Sequence, residues 1–273
     1  MIKFLIGLLI AVVILIIALI IAMCPGKKRD SSNFSGKLYA HRGLHNIEKG
    51  IPENSLAAFR AAKENGYGVE LDVQLTADNK LVVFHDGSLK RMCGADVKVF
   101  ELTYEELSQY RLLGTEEKIP LFSEVLEVMG DSHIVCEIKT HSSNTDMAVC
   151  PIVYEHIKDK PNICIESFNP FAVVYFRKHY PEIIRGQLAE NFFRVDAKKA
   201  FFKKFSLTFM LFNASSKPDF IAYNHFDRNF FVFRICRALF KPFCVAWTVR
   251  SPEEQKNCDG IFSAVIFEKY LAE

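Results

Sequence analysis

From Leu38 onward the chain alternates short, β-type apolar runs with stretches of helical periodicity, and this alternation leaves few folds open. The runs are Leu38–Ala40, Val69–Val73, Leu81–Phe84, Ile134–Cys136, Ile163–Ile165, Ile183–Leu188, Phe220–Ala222, Cys244–Val249 and Gly260–Ile261. A short apolar run bounded by turn residues reads as a strand covered on both faces, and strands separated by helix-length segments pair in parallel. Repeated over about 240 residues, the pattern predicts an α/β fold, a TIM (β/α)8 barrel. One connection departs from it. Leu75 to Lys80 is too short for a parallel crossover, so the second and third runs must form a hairpin. Centring its turn on Asp78-Asn79 sets Asp72 roughly opposite His85. With the hairpin taken as an excursion from the second strand, eight strands remain, the number that closes the barrel.

Helix signals fall where this plan needs them. Asn54 or Ser55 caps a helix through Leu56, Phe59 and Ala62, with Gly66 just past its end. Thr103 and Glu106 form a capping box. Residues 38–273 therefore read as one barrel domain, and 25–37 as a short polar linker.

Ile2 to Met23 is almost wholly apolar, broken only by Lys3, and its length suits one membrane crossing. The nearly absent positive n-region and the length of the run favour a retained anchor (residues 1–24) over a cleaved signal peptide. Lys27, Lys28 and Arg29 follow the span while only Lys3 and the amino terminus precede it. The positive-inside tally thus places a single-pass protein in the cell membrane with its soluble domain on the cytoplasmic side. Seven scattered cysteines after Cys24 fit reduced core thiols, and with no Cys-x-x-Cys pair a zinc site is not expected. A formal charge of +2 offers no electrostatic case for nucleic acid.

The ionisable residues of one short stretch carry the chemistry: Ala40-His41-Arg42-Gly43, Pro52-Glu53-Asn54-Ser55, Glu70-Leu71-Asp72 and His85-Asp86. Glu70 and Asp72 lie two apart on a strand and so share a face, while Val69, Leu71 and Val73 share the other. Two carboxylates on one face repel, and a bound divalent cation is the usual compensation. Glu137-Ile138-Lys139 repeats the device with a carboxylate and an amine. Three carboxylates from two strand ends suit Mg²⁺ or Ca²⁺. Either pair alone reads as a solvated edge strand of alternating charge; the histidines reverse that balance. His41 and His85 each close an apolar strand, where barrel active sites sit, and a pair of imidazoles can take up one proton and supply another. Asp86 is a candidate to orient a histidine. Arg42 offers a planar fork for phosphate oxygens and Lys139 a point charge. His45, His133, His141, His156, His179 and His225 have no comparable setting and read as surface or core residues.

These motifs, with Thr76 and Asp78 after Glu-x-Asp, then Glu-Ile-Lys and Trp247-Thr248-Val249, occur in order from Leu38 to Gly260. In this the chain resembles the glycerophosphodiester phosphodiesterase family. The resemblance implies a TIM barrel and metal-dependent hydrolysis of glycerophosphodiesters to an alcohol and glycerol 3-phosphate. Glu70, Asp72 and Glu137 would be metal ligands, and His41 and His85 the acid/base pair. Arg42 and Lys139 would hold phosphate, and Trp247 would line the pocket unless it is a core aromatic. Three departures stand out. Ser55 replaces the usual Thr, Arg250 stands where Asn is common, and Phe262-Ser263-Ala264 follows Asp259-Gly260-Ile261, so the last strand's polar contribution is missing or replaced.

Two other functions compete. One is a membrane-associated phosphodiesterase on intact or lyso-phospholipids, of lysophospholipase D type; the other is a non-catalytic barrel that binds lipid headgroups. The full set of histidines and carboxylates argues against the second. From Phe192 to Phe243 aromatic and basic residues intermingle, as in Phe201-Phe202-Lys203-Lys204. They read as barrel helices with buried Phe and solvated Lys, an anionic membrane surface being the alternative.

Overall fold

The computed structural model describes residues 1–26, 32–140, 146–195 and 200–273. Lys27, Lys28 and Arg29, which carry the orientation argument, lie outside these, as do Asp30 and Ser31 of the linker, His141, Lys198 and Lys199.

Eight parallel strands close into the expected barrel. They are β1 (Leu38–His41), β2 (Gly68–Leu75), β4 (Ile134–Ile138), β5 (Ile163–Ser167), β6 (Arg185–Ala189), β7 (Phe220–Asn224), β8 (Phe243–Val249) and β9 (Ala264–Phe267). The order runs β1-β2-β4-β5-β6-β7-β8-β9 and returns to β1. The remaining strand, β3 (Leu81–Val83), pairs antiparallel with β2. Strand β2 outlasts its neighbour: Gly68–Glu70 pair with β1, and Val73–Leu75 pair with β3 along the same edge. The hairpin is thus the excursion the short connection requires, with its register one residue from expectation. Asp72 faces Phe84, whose amide donates to the Asp72 carbonyl at 2.9 Å. The loop holds three residues rather than two and ends on Asn79 in the left-handed region (φ 59°), a common three-residue hairpin form.

Around the sheet lie α2 (Leu56–Glu64), α3 (Lys90–Cys93), α4 (Tyr104–Leu107), α5 (Phe122–Met129), α6 (Val149–Ile157), α7 (Pro170–His179), α8 (Phe192–Val195), α9 (Phe201–Thr208), α10 (Asn213–Ser216), α11 (Phe231–Phe240) and α12 (Pro252–Lys256). Ser55, not Asn54, caps α2 by accepting from the Ala58 amide at 3.1 Å. The Thr103/Glu106 box opens α4 as predicted.

Alternation along each strand sorts the side chains. Val69, Leu71, Val73, Ile134 and Cys136 pack outward with Phe59 and Phe122 of the helical layer. Tyr39, Val135, Cys164, Leu188, Phe220, Val245 and Ile266 fill the interior, and Phe34 joins them ahead of β1. Gly186 makes room there, because a Cβ at that position would stand 2.2 Å from the Phe220 ring. All eight cysteines are unpaired, six of them buried, in keeping with reduced core thiols.

The last strand corrects the sequence reading. Gly260 is in a left-handed turn (φ 69°) after α12, and the strand begins at Ala264. Its pattern is legible in hindsight: Ala264 and Ile266 face the interior, Phe267 the helices. Starting four residues later, it ends at Phe267 and delivers Glu268 to the barrel rim.

Helix α1 (Ile2–Met23) is long and apolar enough to cross a membrane, and none of its apolar window is buried among the described residues. By length and position it is a membrane anchor or a signal sequence. Its end is tied to the barrel. Asn213 donates to the Met23 carbonyl at 3.1 Å, Lys217 to that of Cys24 at 3.0 Å, and the Gly26 amide to that of Pro218 at 2.9 Å.

Candidate active site

Inward-pointing residues at the C-terminal ends of the strands form a polar layer above the apolar interior. It contains His41 from β1, Glu70 and Asp72 from β2, Glu137 from β4, Glu166 from β5 and Glu268 just after β9. Oxygens of Glu70, Asp72 and Glu137 lie within 4.8 Å of one another, and all three residues are buried. Burial, with Asp72 and Glu137 alongside, pushes the Glu70 carboxyl well above the usual range. Burial raises Glu137 as well, against the opposing charge of Lys139. Asp72 goes the other way. Burial alone would raise it, but Lys139, Arg42, His85 and the Asn54 bond together hold it well below.

Asp72 is the hub. It accepts from Asn54 Nδ2 at 2.9 Å, meets Arg42 Nε at 3.4 Å and pairs with Lys139 Nζ at 2.9 Å. Lys139 also reaches Glu137 at 2.7 Å, so it bridges two members of the cluster. The Arg42 amide donates to the Glu70 carbonyl at 2.8 Å. Arg42 itself takes a left-handed conformation (φ 56°), and Gly43 follows at φ 78°, where a Cβ would stand 2.8 Å from Ala58. Only glycine satisfies both demands. Arg42 Nη1 donates to Glu53 at 2.7 Å, and the Asn54 amide to the Arg42 carbonyl at 2.9 Å.

Both histidines are held by carboxylates. His41 Nδ1 lies 2.7 Å from Glu268 Oε2, with Nε2 turned to Glu70 at 3.8 Å. Burial lowers the His41 pKa, partly offset by Glu268, so the ring is neutral and Nδ1–H donates to Glu268. Arg250 steadies Glu268 from behind at 2.6 Å. His85 Nδ1 lies 2.7 Å from Asp86 Oδ1, an adjacent pair that can meet because both residues follow the end of β3. Arg91 grips Asp86 and Glu53 together, at 2.7 Å to each.

The sequence-predicted residues therefore converge, with Trp247 at the margin: it is half-buried, set edge-to-face on Phe168 with centroids 5.4 Å apart. Several partners were missed. Glu268 replaces the last strand's polar contribution, and Arg250 braces it. His45 also lies near this group, its Nε2 3.9 Å from Glu268. Asn54 serves Asp72 and not the helix. Glu166 and Arg91 gave no motif-level signal. Glu268 was legible only with the last strand placed correctly.

Beside the cluster opens a cavity of about 690 Å³, bounded by Glu137 and Lys139 at one end and by Phe168, Phe171, Leu207 and Phe212 along its walls. Phe201 and Phe202 of α9 are 62 % and 84 % exposed, contrary to the expectation of buried aromatics in this segment.

A TIM barrel that gathers carboxylate-held histidines and a buried acidic cluster at its C-terminal rim has them where barrel enzymes carry their active sites. Residues 41–267 match the Glycerophosphoryl diester phosphodiesterase family, and the chain belongs to it. It is 32 % identical over 171 residues to a glycerophosphodiester phosphodiesterase of Caldanaerobacter subterraneus subsp. tengcongensis, covering 55 % of this chain and 65 % of that protein. A lysophospholipase D of Rattus norvegicus is 31 % identical over 147 residues, 48 % of this chain and 45 % of that one. The chain thus spans less than two thirds of the length of these relatives. Among solved structures, a glycerophosphodiester phosphodiesterase of Thermotoga maritima superposes with TM-score 0.63 at 27 % identity, over 84 % of this chain and 93 % of that one. An Oleispira antarctica phosphodiesterase in complex with the product sn-glycerol-3-phosphate shares the fold, with TM-score 0.68 at 24 % identity over 85 % and 93 %.

Proposed function

We propose that the protein hydrolyses glycerophosphodiesters to an alcohol and glycerol 3-phosphate by acid-base catalysis, dependent on a divalent metal. The observation that carries this reading is the pair of histidines, each with Nδ1 on a carboxylate, beside one buried acidic cluster. Glu70, Asp72 and Glu137 fit Mg²⁺ or Ca²⁺, since three hard oxygen donors crowded without enough positive charge are what such an ion relieves. When bound, the ion would offset negative charge on the diester.

The chain's own groups supply the proton steps. Neutral His41 has Nδ1–H committed to Glu268, leaving Nε2 to take the proton of the attacking hydroxyl, from water or from the substrate's glycerol. As the new P–O bond forms and the ester P–O bond breaks, His85, held by Asp86, gives its proton to the departing alkoxide. Attack by water gives glycerol 3-phosphate directly; attack by the glycerol hydroxyl gives a cyclic phosphate, and water then adds to its phosphorus as one ring P–O bond breaks and the freed glycerol oxygen takes a proton. Arg42, fixed by Glu53, and Lys139 bind phosphate oxygens, and Trp247 lines the alcohol side. The cavity beside Lys139 favours a second substrate, monoacylated diesters of the kind named for the lysophospholipase D relative. Helix α1 is read as a retained anchor, residues 1–24, joined by the linker 25–37 to a barrel on the cytoplasmic side of the cell membrane.

His41→Ala and His85→Ala each test the assignment. Turnover should fall by about 10²–10⁴-fold with circular dichroism unchanged; near-wild-type rates in either would remove that histidine from the mechanism.

A further inference from the structure

The cavity beside Glu137 and Lys139 is oddly lined for a wholly polar substrate. Phe168, Phe171, Phe192, Leu207 and Phe212 make most of its accessible surface apolar, although Thr140, Asn169, Glu190, Lys203 and Ser206 also border it, and that apolar surface offers glycerol hydroxyls or a small charged headgroup no partners. At about 690 Å³ it lies within the range of sites that enclose a whole ligand, roughly 300–1,000 Å³. Its polar end is the catalytic cluster itself. A molecule that fills it has a phosphodiester at one end and a hydrocarbon at the other.

The outer wall is α9, whose Phe202, Lys203, Ser206 and Leu207 border the cavity while Phe201 and Phe202 stand in solvent. This wall sits beside the end of α1. Met23 packs in one cluster with Met210, which follows α9, and with Val232, Phe233 and Cys236 of α11. Asn213, three residues on, holds the Met23 carbonyl. Helix α9 is eight residues long, about 12 Å, so its exposed phenylalanines lie roughly one helix length from the anchor's end. Helix α11 adds a second bare stripe: Phe231, Ile235 and Leu239, at i, i+4 and i+8, are 53 %, 41 % and 53 % exposed. Apolar side chains flanked by Lys203, Lys204, Arg234 and Lys241 form the pattern of helices that lie in a bilayer interface. Where a 22-residue apolar helix crosses the membrane, this face is held at the headgroup level.

We propose that the cavity is a binding site for the alkyl chain of a monoacylated glycerophosphodiester, which enters from the membrane surface past Phe201 and Phe202. The inference rests on the phosphodiesterase reading and on α1 being retained, and it names where the lipid part of the substrate goes. Lys139 at the cavity's inner end marks the phosphate; the chain runs outward along Phe168 and Phe171 to Leu207 and Phe212. Because the walls are apolar and the phosphate end is fixed, affinity should grow with chain length until the cavity is full.

The test uses the full chain in phosphatidylcholine vesicles with a lysophosphatidylcholine carrying a diazirine near the end of its chain. After irradiation, adducts are expected on the α7 and α9–α10 peptides. Excess unlabelled lysophosphatidylcholine should suppress them and glycerophosphocholine should not. Leu207→Trp, which fills the cavity, should cut these adducts and the kcat/KM on lysophosphatidylcholine by about tenfold or more, while hydrolysis of glycerophosphocholine stays at the wild-type rate. Cavity adducts without any diester cleavage would uphold the chain site and remove the catalytic reading. Cleavage of lysophosphatidylcholine with adducts confined to α1, or unchanged by Leu207→Trp, would overturn the chain site and leave the catalytic reading standing.

Discussion

Glu70→Gln should stabilise the metal-free protein and abolish its response to metal. The oxygens of Glu70, Asp72 and Glu137 lie within 4.8 Å, a separation at which two unit charges repel by about 3.5 kcal/mol at an effective dielectric constant near 20. Lys139 and Arg42 offset part of that repulsion. A residue of roughly 2 kcal/mol is left to be relieved, of the size found when a functional charge is removed. For a domain of this length that is about 4–8 °C in Tm. Metal acts oppositely: an ion at 100 times its Kd stabilises the wild type by about 2.7 kcal/mol, or roughly 5–11 °C. The assay is thermal unfolding of the full chain in detergent, in chelator and then in Mg²⁺ or Ca²⁺. The two proteins should exchange rank, the variant melting higher in chelator and lower in metal. A variant that melts lower in chelator and keeps the wild-type metal shift would refute the view of this cluster as a strained cation site.

Three further outcomes follow from the surrounding bonds. Glu268→Gln should lower kcat by about 10²-fold or more with KM little changed, because His41 loses the acceptor that fixes its Nδ1 proton; an unchanged kcat would make Glu268 merely structural. Gly43→Ala should cost roughly 1–2 kcal/mol or more in chemical denaturation, since a left-handed φ and a 2.8 Å approach to Ala58 both penalise a Cβ. Burial raises Glu53, but the Arg91 bonds and Arg42 outweigh it and bring its pKa from 4.5 down to about 2. A depressed carboxylate stabilises the fold above its unfolded pKa and loses that contribution as pH falls. The stability gap between wild type and Glu53→Gln, roughly 2–3 kcal/mol at pH 7, should therefore close between pH 4.5 and pH 2, and a constant gap would count against it.

The barrel was legible because parallel strands buried on both faces leave continuous apolar runs, such as Ile134–Cys136 and Phe220–Ala222. Glu70 and Asp72 were legible as two carboxylates set on one face of a strand whose other face is Val69, Leu71 and Val73. The misplaced last strand shows the limit. Gly260–Ile261 is apolar but is itself part of a glycine turn, and two residues carry no alternation to set their face. Glu268 went unseen with it. Residues that act through others, such as Arg91, Arg250 and Asn54, carry no spacing signal because the loops that bring them together are remote in sequence. Phe202 was misjudged for a different reason: a helix with apolar residues on two faces has no preferred inside until its neighbours are placed.

Hydrolysis of a glycerophosphodiester panel by the purified full chain, first in chelator and then with Mg²⁺ or Ca²⁺ restored, is the most direct test of the proposed activity. Metal-restored release of glycerol 3-phosphate is the predicted result. Silence from folded, metal-loaded protein, or full activity in chelator, would contradict it.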